Sequence, residues 1–395
     1  MSAHQEPTTA LQLPRLPVFG LAALAGKMET RGSVACVTDR RPFVWTTSAR
    51  AAFFHGLRAL GVAKGDRILL PTYHCPTMVS PVVQLGAVPV FYPIGRDGLP
   101  RPDFLARCDT GRVKGLLAAH FFGLPLRLDG VREFCTERSI ALIEDCAHAY
   151  FGEIGGRPLG LQGDLALASL PKFFPVPEGG CLVGPENLLT RTKLAAPPLL
   201  SDARCLLDLV ELRSRYRAEG LFDRSLRAVF DMKNRLKRSA DSAPEARASE
   251  KDGADPWLAE PVLHRRATRV VERVVRGSDG LHIAHARQRN YRTLSSQLAG
   301  LTNARPLVPA LPAGAVPYVF PLEVDDPDPL YSDIRAAGIP VFRWDQLWPA
   351  TPAIAGDEGT RWSRHVLQIG CHQDLTESDV RTIAAMLRNL ISRKR

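Results

Sequence analysis

Short apolar runs alternate with segments of helical length from about residue 44 to residue 184. The runs are nearly continuous in apolar side chains, as in strands that are buried on both faces of a sheet. Predicted strands lie at residues 67–70, 86–92, 115–119, 140–143 and 165–169, and predicted helices at residues 49–60, 77–85 and 128–138. This alternation predicts an α/β fold in which a mostly parallel sheet is sandwiched by helices. Ligands of such sheets bind at the carboxyl ends of the strands.

The pattern changes after residue 184. Residues 186–238, the basic segment, have a helical pattern and are strongly basic, and residues 239–256 are small, polar and charged, which predicts a mobile loop. The elements predicted beyond the loop are a long helix over 263–298 with a break near Gly277, strands at 316–324 and 340–343, a helix at 329–337, and a last helix at 377–392 after the N-cap Thr376.

The length of 395 residues exceeds one ordinary hydrophobic core. We therefore expect a large domain over residues 44–256, including the basic segment and the mobile loop, and a smaller C-terminal α+β domain over residues 257–395. Residues 1–43 are expected to form an N-terminal arm that lies on the protein's own surface. The apolar segment 16–26 has no basic flank before it, so we do not expect a signal peptide.

Composition and charge narrow the class of protein. Hydrophobic residues make up 45% of the chain and charged residues 23%, as in a soluble globular protein. The net charge of +10 is compatible with nucleic acid, anionic lipid or phosphorylated substrates, and charge alone does not choose among them. We expect no nucleic-acid partner, because charge runs are usually solvated helix faces. No apolar run reaches the roughly 18 residues of a membrane span.

The eight cysteines are scattered along the chain. They form no CxxC pair, and the histidines do not cluster. This usage predicts reduced thiols in a cytoplasmic protein, and neither a disulfide framework nor a metal site.

One lysine lies in an apolar stretch, SLPKFFPVPEGG at residues 169–180. Prolines and phenylalanines around Lys172 disfavour its ammonium form and lower its pKa, as a Schiff-base lysine requires. The alternative is an ordinary solvated surface charge. The Glu-Gly-Gly turn that follows would let the backbone pass close to a cofactor, although it is also a plain turn sequence.

Two polar residues follow the predicted strand at 140–143. Asp145, at the strand end, is expected to be buried, and a buried carboxylate usually has a cationic partner such as a protonated pyridine nitrogen. The alternative is an N-cap for the next helix. His148 is either a structural histidine or a contact to a ring or substrate. A desolvated lysine after a strand-end aspartate favours an enzyme that holds pyridoxal 5′-phosphate (PLP) as a Schiff base.

Further candidates for binding PLP lie at the start of the first helix, after the strand at 67–70 and just before the lysine. They are Ser48, Ala49, Arg50, Ala51, Tyr73, His74 and Ser169. Free N–H groups at a helix start bind phosphate, a serine hydroxyl can serve the same group, and one of the two rings could stack on a planar cofactor. Each has a plain alternative, because most helix starts bind nothing and aromatic rings commonly fill a core.

Several segments, taken in order, resemble the DegT/DnrJ/StrS family of fold-type-I, PLP-dependent aminotransferases. They lie at residues 57–71, 85–91, 120–123, 144–148 and 163–164, within a resembling stretch of 48–184 and a weaker one of 280–395. The resemblance implies that Lys172 forms the Schiff base, that Asp145 pairs with the pyridinium nitrogen, and that His148 lies at the family's Gln/His position beside the cofactor. It puts Arg50 and Ala51 at the phosphate-binding helix start.

The chain departs from the family pattern in two places. Lys172 follows Ser169 by three residues, whereas the family has about five. The family's stretch after the glycine turn, which reaches into the neighbouring subunit's site, has no clear counterpart, and basic helices at 201–238 stand there instead. Arg343 matches an arginine that some members carry near the substrate entrance, with a surface charge as the alternative.

The resemblance implies a homodimeric aminotransferase. Its amino donor would be glutamate, and its acceptor a keto-sugar, linked to a nucleotide, or a related carbonyl compound in polysaccharide or secondary-metabolite biosynthesis. Lys172 would serve as general base and acid in a ping-pong reaction. Two alternatives stay open: a PLP-dependent lyase, racemase or decarboxylase, and a non-catalytic protein that binds nucleic acid or anionic membrane through basic helices at 213–238.

Overall fold

The computed structural model of the chain describes residues 11–24, 34–39, 41–216, 230, 232, 257 and 259–393. The predicted mobile loop at 239–256 lies outside these residues, as does nearly all of the basic segment beyond residue 216. No described helix has the length and apolar composition needed to cross a membrane. All eight cysteines carry free thiols.

The described elements alternate strand and helix through the first half of the chain. The strands are Phe43–Thr46 (β1), Arg67–Pro71 (β2), Val88–Tyr92 (β3), Val113–Ala119 (β4), Ala141–Asp145 (β5), Glu153–Ile154 (β6), Arg157–Pro158 (β7), Leu165–Ser169 (β8), Gly180–Val183 (β9), Ala304–Pro306 (β10), Val319–Val324 (β11), Val341–Phe342 (β12) and Val366–Gly370 (β13). The α-helices are Ala49–Ala59 (α1), Pro76–Gln84 (α2), Pro102–Arg107 (α3), Asp129–Glu137 (α4), Glu186–Leu189 (α5), Leu199–Tyr216 (α6), Glu260–Leu263 (α7), Arg269–Arg276 (α8), Gly280–Gln297 (α9), Pro327–Ala336 (α10), Glu358–His365 (α11) and Glu377–Ser392 (α12). Short 3₁₀ helices span Leu21–Leu24 and Phe121–Gly123.

The large sheet has seven strands in the order β1-β9-β8-β5-β4-β2-β3. β2, β3, β4, β5 and β8 run parallel, while β9 is antiparallel to both of its neighbours. Ala119 pairs with Asp145, and Asp145 pairs with Leu167, so the carboxyl ends of β4, β5 and β8 lie side by side. The mostly parallel sheet predicted from the sequence is confirmed.

Several features of the structure differ from the sequence prediction. Within the large sheet, strands β1 and β9 were not predicted, because each is four residues long and is stabilised by pairing with a strand distant in sequence. The break predicted near Gly277 in the long helix over 263–298 is confirmed, since α8 ends at Arg276 and α9 begins at Gly280, but a further break at residues 264–268, which was not predicted, separates α7 from α8. Thr268 caps α8 by accepting from the Val271 amide, and Asp279 caps α9 by accepting from the His282 amide, so each cap starts a new helix.

A four-stranded antiparallel sheet in the order β10-β11-β13-β12 forms the smaller unit. Helices α9, α10 and α12 pack on it around a second hydrophobic core that runs from Tyr291 to Ile391. Val271 of α8 and Ile283 of α9 belong instead to the core of the large sheet. The smaller C-terminal α+β unit is thus present, and the exact domain boundaries at 43/44 and 256/257 stay predictions.

Residues 11–24 pack against both the large sheet and the smaller unit. Phe19 is fully buried in the core of the large sheet. The Leu11 amide donates to the Ala337 carbonyl at 3.0 Å, and the Arg15 guanidinium donates to the Val341 carbonyl at 2.8 Å. Residues 11–24 therefore do not form the surface arm that was predicted. Burial of their apolar side chains removes apolar area from water and so stabilises the packed arrangement.

Candidate active site

A cavity of about 450 Å³ lies at the carboxyl edge of the large sheet. Its walls come from the start of α1, the turn after β2, the ends of β4, β5 and β8, the glycine turn before β9, and one aromatic residue of the smaller unit. The predicted site residues that line it are Ser48, Ala49, Arg50, Asp145, His148, Ser169 and Lys172. The topology thus brings together side chains that are more than 120 residues apart in sequence.

The start of α1 forms one end of the cavity. Ser48 is the N-cap, and its hydroxyl accepts a hydrogen bond from the Ala51 amide at 3.2 Å. Ala51 is buried one turn inside the helix and contributes through this bond, not as a wall of the cavity. Ser169 is paired with Gly180 across β8 and β9, which brings its hydroxyl to the same cavity. A helix start with a neighbouring hydroxyl is suited to an anion such as a phosphate.

The glycine turn is needed for this arrangement. A side chain at Gly180 would come within 2.5 Å of the Ala49 amide nitrogen and would also overlap the Ser48 backbone. Gly179 has φ +119°, which favours glycine, and its amide donates to the Thr47 carbonyl at 2.8 Å. Both glycines therefore allow β9 to pass directly against the start of α1.

Lys172 lies in a tight turn just after β8. The Phe173 and Phe174 amides both donate to the Leu170 carbonyl, at 3.0 and 2.8 Å, which closes the turn. The Lys172 amine lies 5.3 Å from the centre of the Tyr318 ring and 5.9 Å from that of Trp344. Burial lowers the pKa of this amine, while the thiol of Cys75 and the carboxylate of Asp145 act in the opposite direction. The sequence prediction of an apolar setting is confirmed by these contacts.

Asp145 is the last residue of β5 and is buried. One carboxylate oxygen accepts from the Ala147 amide at 2.8 Å, and no helix begins there, so the N-cap alternative does not apply. Among the described residues, no basic side chain forms an ion pair with it. Burial raises the pKa of Asp145, and the Ala147 hydrogen bond and the Lys172 charge partly offset this. The carboxylate thus suits a cationic group that enters the cavity.

His148 is held in one tautomer. Its Nδ1 accepts a hydrogen bond from the Phe122 amide at 3.2 Å, so in the neutral ring Nε2 carries the proton. Burial, with the Lys172 charge as a smaller cause, lowers the pKa of His148 well below its ordinary value. Nε2 is buried and has no hydrogen-bond partner among the described residues. His148 therefore brings an unused N–H donor to the cavity wall.

A buried polar network lies behind the cavity. Glu144 accepts from the Gln162 and Gly163 amides, both at 2.6 Å, and from His120 Nε2 at 3.2 Å. Burial would raise the pKa of Glu144, but these hydrogen bonds bring it below its ordinary value. Cys146 lies near this pair, and the three side chains are close enough to hold an ion. Because the carboxylate is already saturated by amides, the cluster serves to hold the strand ends in place.

Tyr73 and His74 do not line the cavity. The Tyr73 hydroxyl accepts from Gln368 Nε2 at 3.1 Å, and its ring packs among Phe121, Phe122, Trp344 and Trp362. His74 stacks on Phe91 and accepts from the Trp348 amide at 3.0 Å, and burial lowers its pKa to about 4. Cys75, the next residue, lines the cavity instead.

Arg343 also lies away from the cavity. Its guanidinium pairs with Asp328 at 2.5 Å and donates to the Arg364 carbonyl at 2.9 Å. The neighbouring Trp344 lines the cavity, and its ring centre is 4.8 Å from that of His148. Sequence reasoning missed Trp344, although its position after strand β12 was a usable signal.

A second recess adjoins the cavity. It has a volume of about 300 Å³ and shares Thr47, Pro177 and Glu178 with the cavity wall. The basic side chains that line it are Arg204, Arg265 and Arg266, and the acidic ones are Glu178 and Asp208. The Nε atom of Arg265 is buried and without a hydrogen-bond partner among the described residues, while its Nη1 reaches the Ser201 hydroxyl at 3.4 Å.

Comparison with known proteins agrees with this geometry. Residues 34–194 match the sequence model of the DegT/DnrJ/EryC1/StrS aminotransferase family. GDP-perosamine synthase of Vibrio cholerae is 30% identical over 146 residues, which are 36% of this chain and 40% of that protein. L-glutamine:2-deoxy-scyllo-inosose aminotransferase of Streptomyces kanamyceticus is 32% identical over 165 residues, 41% of this chain and 38% of that protein. The chain thus matches about two fifths of the length of these curated relatives.

Solved structures share the fold over nearly the whole chain. The aminotransferase TlmJ of Streptoalloteichus hindustanus superposes with a TM-score of 0.66 at 20% identity, covering 96% of this chain and 98% of that one. PseC of Helicobacter pylori, an aminotransferase of pseudoaminic acid biosynthesis, gives 0.66 at 14% identity, with 96% and 98% covered. The shared fold extends through the smaller unit, and the sequence match covers the segment that carries the cavity. Residues 34–194 of this chain are therefore similar to the DegT/DnrJ/EryC1/StrS aminotransferase family.

Proposed function

We propose that this chain is a PLP-dependent aminotransferase. The observation that carries the proposal is that the desolvated amine of Lys172, the buried carboxylate of Asp145 and the N-terminus of α1 share one cavity. Each of these groups is common in proteins for structural reasons. Their combination provides an amine, a counter-ion for a ring nitrogen and an anion cradle around a space that fits one small aromatic molecule.

The cavity fits PLP at three points. Ser48, Ala49, Arg50 and Ser169 would hold the phosphate, and Asp145 would pair with the ring nitrogen. The Nε2–H of His148, which has no partner among the described residues, would donate to the ring oxygen. Bound there, PLP would supply an aldehyde that an amine can attack and a ring that withdraws electrons.

The protein's own residues would then carry out or assist the proton transfers. Because burial lowers the pKa of Lys172, a larger fraction of its amine is neutral near pH 7 than for an exposed lysine, so the amine can act as nucleophile and general base. Asp145 keeps a negative charge at the ring nitrogen, and His148, neutral and fixed in one tautomer, does not compete for protons. The aromatic side chains of Tyr318 and Trp344 limit water around the Lys172 amine.

We propose glutamate as the amino donor and a keto-sugar, linked to a nucleotide, or a related carbonyl compound as the acceptor. One relative is named for a perosamine product, and another for transfer from L-glutamine to an inosose. The arginine-lined recess supports an acceptor that carries phosphate or carboxylate groups, because guanidinium groups bind these anions through paired hydrogen bonds. Polysaccharide or secondary-metabolite biosynthesis would use such products.

The other partner predictions remain proposals as well. A homodimer stays a prediction, and exposed leucines on α6, among them Leu199 and Leu200, offer an apolar face for a second copy. A nucleic-acid or membrane-binding role finds less support. Arg213 donates to the Phe19 carbonyl at 3.5 Å and Arg215 lies 3.8 Å from Glu211, so these charges are engaged within the protein.

Spectroscopy of the purified protein tests the proposal. Incubation with PLP is expected to produce an absorbance band near about 420 nm, because a Schiff base on lysine extends the conjugation of the ring. Lys172→Ala should abolish the band, whereas Lys114→Ala, which removes an exposed lysine on β4, should leave it unchanged. A wild-type protein that stays colourless would contradict the proposal.

A half-reaction distinguishes transamination from the alternatives. One equivalent of the loaded protein mixed with glutamate should release one equivalent of 2-oxoglutarate and lose the band. A persistent band without keto acid, across glutamate and glutamine, would favour a lyase, racemase or decarboxylase.

A further inference from the structure

Arg287, on α9, is a fully buried cation next to the lysine turn. Its guanidinium donates to the Lys172 carbonyl at 2.7 Å, to the Pro317 and Tyr318 carbonyls at 3.1 Å each, and to Gln373 Oε1 at 2.9 Å. No carboxylate among the described residues forms an ion pair with it. A buried charge that is satisfied only by neutral oxygens is costly unless every donor has a partner, so this geometry is closely defined.

These bonds fix the backbone of Lys172 from two sides. Arg287 holds the Lys172 carbonyl, and Gln373, itself held by Arg287, donates to the Phe173 carbonyl at 2.9 Å. The guanidinium also lies 4.5 Å over the Phe173 ring. Two successive peptide groups of the turn are thereby tied to the smaller unit, although the turn itself belongs to the large sheet.

The same guanidinium orders the aromatic wall of the cavity. The Tyr318 carbonyl binds Arg287, and the Tyr318 amide donates to the Phe122 carbonyl at 2.8 Å. The Phe122 amide in turn donates to His148 Nδ1, and the Tyr318 ring centre is 4.6 Å from that of His148. Arg287 is thus connected to Lys172 directly and to His148 through Tyr318 and Phe122.

We propose that Arg287 is a positioning residue that sets the reach of the Lys172 amine into the cavity. Because five donors in a planar fork can serve four oxygens at once, arginine holds the turn in one conformation, and neither lysine nor a neutral side chain can replace it. Burial lowers the pKa of Arg287 to about 10, so the guanidinium stays charged at neutral pH. This inference rests on the proposed function, since it concerns how readily Lys172 captures PLP.

A buried polar residue on the same helix provides a matched control. Tyr291 is fully buried, and its hydroxyl donates to the Val308 carbonyl at 2.5 Å. This contact stabilises the protein through a buried hydrogen bond, as those of Arg287 do, but it is made neither to the lysine turn nor to the segment that carries Gln373. A purely structural role for Arg287 predicts that both substitutions behave alike.

The experiment measures the covalent attachment of PLP to Lys172 together with stability. Wild type, Arg287→Lys, Arg287→Met, Gln373→Leu and Tyr291→Phe are mixed with PLP, reduced with borohydride at timed intervals and mapped by peptide mass spectrometry. In this step the Lys172 nitrogen bonds to the aldehyde carbon with loss of water. Borohydride then delivers hydride to the imine carbon and water supplies a proton to the nitrogen, which gives a stable secondary amine. Melting temperature is recorded for each apoprotein.

We expect the Arg287 variants to label Lys172 on the order of 10-fold or more slowly, because a small displacement of a reacting group costs that much in rate. Gln373→Leu should show a smaller decrease, and Tyr291→Phe should label at the wild-type rate despite a lower melting temperature. If Arg287→Met does not fold, Arg287→Lys and Gln373→Leu still decide the matter.

Two results would overturn the inference, and they are distinguishable. Normal labelling of the Arg287 and Gln373 variants at reduced melting temperature would make Arg287 a structural residue only, with the proposed function intact. Absence of Lys172 labelling in the wild-type protein would instead remove the proposed function and this inference with it.

Discussion

The carboxyl group of Asp145 lies where water has little access. The only hydrogen bond that this carboxyl group accepts among the described residues comes from the Ala147 amide, and burial raises its pKa. Folding therefore favours the protonated form. This contribution to stability is present below the ordinary pKa and is lost as the pH rises through the raised pKa. Ionisation of the buried group is a cost to the apoprotein, and a bound cation would relieve it.

The first residue-scale prediction follows from this cost. Asp145→Asn should weaken PLP binding by on the order of 10- to 100-fold, because the hydrogen bond to a charged group is lost. The apoprotein should melt at the same temperature or higher, because the buried charge is gone. Titration of PLP followed by absorbance, with melting curves of the apoprotein, measures both.

The control for this prediction is Asp103, an exposed carboxylate whose pKa is shifted in the direction opposite to that of Asp145. The pKa of Asp103 is lowered, chiefly by its hydrogen bond with Arg101. Asp103→Asn should leave PLP binding unchanged.

Titration of the Asp145→Asn variant also reports on Lys172, because the Asp145 charge raises the pKa of the Lys172 amine. Removal of that charge should shift the pH dependence of PLP capture to lower pH. A lower apoprotein melting temperature with unchanged PLP affinity would contradict the assignment of Asp145.

At the scale of elements, the site depends on how closely β9 approaches α1. Gly180→Ala should lower the free energy of unfolding by about 1–3 kcal/mol and weaken PLP binding, because the added methyl group overlaps the backbone at Ser48 and Ala49. Urea denaturation and PLP titration of the same variant provide the measurement.

Gly130→Ala is the matched control for this element. It lies in the first turn of α4, where an added methyl group meets no atom within 4 Å. Its free energy of unfolding should be equal to or higher than that of the wild type, because alanine favours a helix over glycine, and its PLP affinity should be unchanged. Equal behaviour of the two glycine variants would show that the contact between β9 and α1 has no role in the site.

Predicted and observed elements agree best where the signal is local. The strand at Leu165–Ser169 and the helix at Glu377–Ser392 with its N-cap Thr376 lie where their apolar periodicity and capping residues placed them. β1 and β9 depend on each other over more than 130 residues, so no local pattern revealed them. In the segment 263–298 the break near Gly277 was predicted, whereas the break at residues 264–268 was not, although Thr268 is a residue type that caps helices.

At the scale of the whole molecule, the N-terminal segment contributes to the main core. Phe19→Ala should lower the free energy of unfolding by about 3–5 kcal/mol, because a fully buried ring is removed from a packed core. Leu21→Ala, at a side chain that is 55% exposed, should change it by less than about 0.5 kcal/mol. Equilibrium denaturation of both variants checks this, and equal small effects would mean that residues 11–24 do not belong to the folded core in solution.

The sequence by itself determined the local features on which the proposed site depends. The apolar setting of Lys172, Asp145 at the end of a strand and the capped start of α1 are local properties, because each depends on neighbours within a few residues. It also determined the mostly parallel sheet, since continuous apolar strands between helices have few other ways to be buried.

Only the tertiary structure decided which side chains meet. Cys75 and Trp344 line the cavity while Tyr73, His74 and Arg343 do not, because a shift of one residue turns a side chain to another face, and the packing of distant elements sets that orientation. The same holds for Arg287, whose contact with the Lys172 carbonyl spans 115 residues. Contacts over such distances depend on how the two units pack, and no pattern along the chain encodes them.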